Sequence, residues 1–446
     1  MQFNFIRYTQ PGWQFNLEPE TEEPAPACKL GENIDFTEEF DLNFETEAAR
    51  KSELAYRLWN KGYLLVSTRE AIRKEANEKP TLHDEYVFIR KYWGNSWAIF
   101  ALFVRLGTFK NPIHEITQFA KTRKIQKADI FESPLLYNEY DSFKSELVAS
   151  LPKVAVIIPT LNRYSYLRDV LADLEKQTYS NFEVIIIDQS DQFDATFYNS
   201  FSLHIILTRQ TEKLLWTARN RAINSTDARF LLFFDDDSRV KPDWITEHLK
   251  CLDFFKADIS AGVSLAVSGQ KISRSYNYFR WADQLDSGNT LIKREVFHRI
   301  GLFDEQFNGQ RMGDGEFAYR AFMHGIKSIS NYKASRIHLK VSTGGLREMG
   351  SWDGFRPKKW FSPKPVPSVI YLYRKYLPPH LRKNALFIGI MLSNVPYRSK
   401  RSSKMLLLSV LLMFIKSPLL LFRYLRASHL AKRMLRNDKG PARLVR

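Results

Sequence analysis

From Pro152 onward, short apolar runs alternate with stretches whose apolar residues recur at helical spacing. VAVIIP (154–159) reads as a buried strand, and Leu167, Val170, Leu171 and Leu174 inside a polar frame predict an amphipathic helix over 164–176. EVIII (183–187) is a second strand and LHIIL (203–207) a third, followed by a helix around 214–224 and by FLLFF (230–234) as a fourth strand. This alternation predicts an α/β fold, a doubly wound, mainly parallel sheet with a nucleotide-binding half. In such sheets ligands bind beyond the carboxyl ends of the strands, so the polar residues found there are the first to consider.

Residues 50–150 read differently, as a mostly helical accessory domain whose aromatic-rich segment YWGNSWAIFALFVRLGTF (92–109) ends at Asn111 and Pro112. It reads as a packing domain or, alternatively, as a surface for an acceptor or a membrane. No period of 20–50 residues is present, which excludes solenoids and propellers.

Composition adds a lower bound on size and an unusual charge distribution. With 446 residues, 44% of them apolar, two or three packed regions are expected. The formal charge is +17, yet residues 371–446 hold seventeen Lys and Arg against Asp438 alone. Residues 18–47 show the opposite bias, with eleven acids against Lys29. Residues 1–49 are therefore expected to be an acidic arm or linker, 151–365 the α/β domain, and 366–446 a basic, amphipathic helical tail. Cys28 and Cys251 form no disulfide framework, and the start MQFNFIRYTQPGW has no signal-peptide pattern. Within the tail, MLLLSVLLMFI (405–415) is interrupted by Lys416, Ser417 and Pro418, and a span needs about 20 apolar residues. The run reads as an interfacial anchor drawn to an anionic membrane surface, with a buried bundle helix as the alternative.

The chemistry gathers at two strand ends. Asp188 and Gln189 follow the second strand, and Asp235, Asp236 and Asp237 follow FLLFF. Three adjacent carboxylates repel one another, and an oxygen-rich cluster suits Mn2+ or Mg2+ bridging to a diphosphate. A solvated acidic turn is the competing explanation.

VAVIIPTLNR (154–163), EVIIIDQS (183–190), ARNRAI (218–223) and FFDDDS (233–238), in this order and spacing, resemble the successive signatures of family-two glycosyltransferases with the GT-A fold. The resemblance covers about 152–340. It implies a nucleotide-sugar donor, an inverting transfer to a glycan or lipid-linked glycan acceptor in cell-surface polysaccharide or glycoconjugate synthesis, and a cytoplasmic enzyme peripheral to the inner face of the cell membrane. It further implies that Pro159, Thr160, Asn162, Arg163, Asp188 and Gln189 lie at the nucleotide, with Arg219 near the base or phosphates and Asp236 facing the ribose. Asp235 and Asp237 would form the Asp-any-Asp element, with Asp237 as the direct metal ligand. His338 would complete that site, unless it is an ordinary core or surface histidine.

MGDGEFAYR (312–320) resembles the family's catalytic Glu-Asp helix start, which makes Asp314 the general base; taken alone, the residue reads as a helix cap. Two departures stand out. Gln189 occupies a position that often holds a second acid, and Gly313 replaces the Glu before the base.

Three other readings fit the sequence less well. A nucleotidyltransferase would carry a Gly-rich loop with an Arg after the first strand, where TLNRYS stands. A nucleic-acid-binding protein would interleave its basic residues with stacking aromatics rather than with aliphatics, so no nucleic-acid partner is expected. A processive synthase also fits poorly, because Arg280-Trp281 precedes Asp314.

Overall fold

In a computed structural model of the chain, the described residues are 3, 38–66, 79–266, 269–282, 284–341, 345–346, 360–394, 409, 412 and 415–444. The apolar run 405–415 and the acidic residues before 38 thus lie largely outside the described residues.

The N-terminal region is helical. Helix α1 (Glu47–Lys61) is capped by Thr46, whose side chain accepts from Ala49 N. Helix α2 (Leu82–Tyr92) starts with a reciprocal Thr81–Asp84 capping box. The aromatic-rich segment is then split at Trp93 and Gly94, where helix α3 (Asn95–Gly107) begins. Asn111 and Pro112 start a further helix, α4 (Pro112–Lys121): the Asn111 carboxamide accepts from two backbone N–H groups, and Pro112 needs no such partner. Residues 38–46, expected as part of a solvated arm, instead pack on these helices. Glu38 pairs with Arg57 and Lys61, and Asp41 pairs with Lys91. A single turn, α5 (Glu146–Ala149), leads into the sheet.

Nine strands form one sheet among the described residues: β1 (Val154–Thr160), β2 (Phe182–Asp188), β3 (Ile205–Arg209), β4 (Phe230–Phe234), β5 (Ser238–Val240), β6 (Ile259–Leu265), β7 (Arg280–Trp281), β8 (Asn289–Lys293) and β9 (Ser328–His338). Their order is β3-β2-β1-β4-β8-β6-β9-β5, with β7 paired to β9. The first four are mutually parallel, whereas β8 runs antiparallel to both β4 and β6. The third strand lies two residues later than its apolar run suggested, because Leu203 and His204 precede the paired segment.

The parallel strands are apolar on both faces because helices cover both. Val154, Val156 and Ile158 pack with Leu167, Val170, Leu171 and Leu174 of α6 (Tyr164–Leu174). Ala155 and Ile157 face the other way, onto Trp216, Ala218 and Ala222 of α7 (Leu215–Asn224). Each fully buried Val, Leu or Ile among these stabilises the fold by roughly 1.5–3 kcal/mol. Helix α8 (Trp244–Phe254) joins the first layer; α9 (Arg294–Ile300) and α10 (Gly313–Met323) join the second.

The tail is helical, as expected. Helices α11 (Pro367–Tyr376), α12 (Pro379–Asn394) and α13 (Ser417–Arg436) follow the sheet. Ala427 and Ala431 of α13 are fully buried in the second layer with Ile370 and Tyr371 of α11. No helix among the described residues is long and apolar enough to cross a membrane.

Candidate donor and metal site

Strand register assembles the site. The β1–β2 pairing sets Thr160 beside Asp188, and β4, parallel to β1, releases Asp235, Asp236 and Asp237 at the same edge. On the far side, β5 pairs with β9 so that Ser238 faces His338, which brings the imidazole back to the carboxylates. Asn289 pairs with Phe234 across β4 and β8, so the preceding loop, Asp286 to Gly288, reaches the triplet too.

Asp235, Asp237 and His338 offer ligand atoms that all lie within 4.8 Å of one another. His338 Nε2 is 3.3 Å from Asp237 Oδ1. Burial pushes the Asp237 carboxyl up, but the His338 contact and the Arg163 charge outweigh it and hold the group below its ordinary range. Two carboxylates and one imidazole form a donor set that fits Mn2+ and, less selectively, Mg2+.

Asp236 is turned inward. Thr160 Oγ1 donates to it at 2.8 Å and Arg163 Nη1 at 2.9 Å. Its burial pushes the carboxyl up to about 6, against the pull of Arg163. Pro159, one residue before Thr160, is buried in β1. Asp188 is fully buried as well, accepting from Tyr164 OH at 2.5 Å, Tyr198 OH at 2.8 Å and Ser190 N at 2.8 Å. Gln189 Oε1 accepts from Leu214 N and from Gln210 Nε2, so the amide takes a structural role that a second carboxylate there would fill differently. Asn162, exposed and at φ 55°, exchanges two bonds with Asp191. The structure thus brings Thr160, Arg163 and Asp236 together, and it sets Asp188 and Gln189 behind them as a buried floor.

Arg219 lies on the other side of the triplet from Arg163. It donates to Asp235 Oδ1 at 3.3 Å and to Ser287 Oγ at 2.5 Å, with its guanidinium 5.0 Å from the Trp216 ring centroid. Ser287 passes the connection onward, since both its N–H and its hydroxyl donate to Asp314 Oδ1. Asp314 is half-buried in the first turn of α10. Gly313 has a steric reason: a Cβ there would sit 2.1 Å from Trp216 Cζ2. The family's Glu has no room behind this tryptophan. Glu316, the next carboxylate, is fully buried and clamped by Arg320 at 2.9 and 3.0 Å and by Tyr376 OH, so it is a packing element.

Arg336 was missed by sequence reasoning. Two residues before His338 on β9, it is fully buried and donates to Asp235 Oδ2 at 2.9 Å, Asp286 Oδ2 at 2.8 Å, Ser238 Oγ at 2.8 Å and Ser264 Oγ at 2.8 Å. Its same-face spacing with His338 was the available signal. Gly288 lets these groups approach, because a Cβ there would sit 2.2 Å from Asp235 Oδ2. Arg280 and Trp281 are buried in β7, with Arg280 over the Trp59 and Tyr276 rings.

Residues 155–322 match the family model described as Glycosyl transferase family 2. The chain is 29% identical over 208 residues to a PGL/p-HBAD biosynthesis glycosyltransferase of Mycobacterium tuberculosis, covering 45% of this chain and 78% of that protein. It is 30% identical over 241 residues to the glycosyltransferase GlyA of Streptococcus pneumoniae, covering 52% of this chain and 31% of that one. Among solved structures, the mannosyltransferase PcManGT from Pyrobaculum calidifontis, in complex with GDP-Man and Mn2+, aligns with a TM-score of 0.43 at 14% identity, over 67% of this chain and 89% of that one. Residues 155–322, which carry the strand-end carboxylates, Arg219 and Asp314, are thus the part of this chain that is similar to the family 2 glycosyltransferases.

Proposed function

We propose that this glycosyltransferase moves a sugar from a nucleotide-sugar donor to a glycan or lipid-linked glycan acceptor, with inversion, using Mn2+ or Mg2+. The observation that carries the reading is the convergence of Asp235, Asp237 and His338 within 4.8 Å at the carboxyl end of β4. The Mycobacterium relatives, named for PGL/p-HBAD biosynthesis, support a glycolipid or polysaccharide product. The basic tail, with seventeen Lys and Arg in residues 371–446, supports work at the cytoplasmic face of a membrane as part of this reading.

Asp237 and His338 would hold the cation, with Asp235 beside them; a divalent ion there supplies the charge that the departing nucleoside diphosphate needs. Arg163, held at Asp236, stands at the nucleotide side with Thr160. Asp314 takes the proton of the acceptor hydroxyl while that oxygen bonds to the anomeric carbon and the bond from that carbon to the diphosphate oxygen breaks. Ser287 fixes the direction of the Asp314 carboxylate, so the base meets the acceptor in one orientation.

The test is calorimetric binding of nucleoside diphosphates with and without Mn2+, on the wild type and on Asp237→Ala. Binding that is strengthened by Mn2+ in the wild type and loses that dependence in the variant is expected. Equal metal dependence in both proteins would remove Asp237 from the site.

A further inference from the structure

Across residues 360–436 the chain has fifteen Lys and Arg and no Asp or Glu. Within this segment α13 has two unlike faces. Ala427 and Ala431 are buried against the domain, whereas Leu421 and Leu425, on the opposite side, are 59% and 57% exposed, with Phe422 beside them. The turn at Trp360 and Phe361 runs alongside, and its two rings are 70% and 63% exposed. That turn is tied to the helix: Arg423 Nε donates to Trp360 O, Arg426 Nη1 donates to Phe361 O at 3.0 Å, and the Phe361 ring meets Phe422 edge-on. Two arginines thus brace the backbone of an aromatic pair whose rings point outward.

We infer that Trp360, Phe361, Leu421, Phe422 and Leu425, framed by Lys416, Arg423 and Arg426, form a face that docks on an anionic lipid surface. The charge pattern selects this occupant. A second copy of the chain would bring the same cations against these, and a nucleic acid gains little from protruding leucines, whereas an anionic bilayer satisfies both components at once. Tryptophan and arginine at the rim are the residues that favour the headgroup region. The inference rests on the proposed membrane-side acceptor, but it is read out without any sugar transfer.

The full chain is sedimented with vesicles of phosphatidylcholine alone, or with phosphatidylglycerol added at one part in three. Strong pelleting on the anionic vesicles, weakened by salt, and little on the neutral ones is expected. Exchange of the five apolar residues for Ser should lower partitioning about 10-fold or more, and Arg423→Gln with Arg426→Gln should lower it roughly 10-fold at low salt. Mn2+-dependent nucleotide binding should stay at wild-type values in both variants, and so should the melting temperature of the five-residue variant, which separates this face from the donor site. Unchanged vesicle binding by the folded five-residue variant, or equal binding to neutral vesicles, overturns the proposal. So does a dimer in vesicle-free buffer that this variant converts to monomer, because a second copy would then cover the face.

Discussion

Arg336 Nη1 stands 2.9 Å from Asp235 Oδ2, and the same guanidinium holds Asp286 at 2.8 Å. One buried cation therefore ties the strand-end carboxylate to the loop that carries Ser287. Its removal by Arg336→Met takes a charged partner from two partly exposed carboxylates, which keep Arg219 and Ser264 respectively, and should cost about 1.5–3 kcal/mol of stability. Arg336→Lys keeps the charge but loses the fork that spans both acids. Guanidinium-chloride unfolding should place Lys between wild type and Met, and Mn2+-dependent nucleotide affinity should fall in the same order. A Met variant as stable as wild type would show that the carboxylates do not need this partner.

Asp314 and Glu316 are two residues apart and should separate cleanly. Asp314→Asn keeps the bonds from Ser287 but removes the base, so transfer should fall about 100-fold or more with melting temperature and nucleotide affinity nearly unchanged. Glu316→Gln weakens the Arg320 clamp, so it should lower the melting temperature and spare turnover per folded molecule. Reversed behaviour of the two variants would exchange their roles.

Gly313 is explained by Trp216, and the explanation can be tested as a pair. Gly313→Ala forces a contact 2.1 Å from the indole and should destabilise by about 1–3 kcal/mol. Trp216→Leu leaves space behind α10, so the double variant should lose less than the sum of the two single changes, measured as a double-mutant cycle. Strict additivity would mean that the strain is relieved elsewhere.

His248 gives the protein a pH dependence unrelated to the site. Its ring is enclosed by Ser260 and Asn289, and burial pushes its pKa from 6.5 down to about 4. The unfolded chain therefore takes up the proton first. This contribution to stability is intact above pH 6.5 and is lost progressively as pH falls toward 4, by at most about 1.4 kcal/mol per pH unit. Urea midpoints between pH 7 and pH 5 should drop more steeply for the wild type than for His248→Gln. Parallel slopes would show that other groups set the acid limit.

The parallel half of the sheet was legible because β1, β2 and β4 are unbroken apolar runs, each ending in the residues that carry chemistry. FLLFF matched β4 residue for residue. The antiparallel half was not read as strands. SISNYKASRIH, the β9 sequence, holds no run of apolar residues, and its buried Arg336 and His338 turn toward acids that lie about a hundred positions earlier. A buried arginine reads as a surface residue until its partners are known. The same limit hid the burial of Asp188 and Gln189, since nothing local announces that Tyr164, Tyr198 and Leu214 will enclose them.

The contact of Tyr376 with Glu316, together with the backbone N–H of Arg311 donating to Ser368 Oγ at 3.2 Å, changes how the molecule divides. A cut at residue 365 looks natural from the charge distribution, yet it would remove the wall against which the turn before Asp314 is set. The C-terminal helices are therefore no detachable module. A shortened enzyme that ends before Pro367 should emerge misfolded, and the useful points of truncation lie outside the seam between α10 and α11.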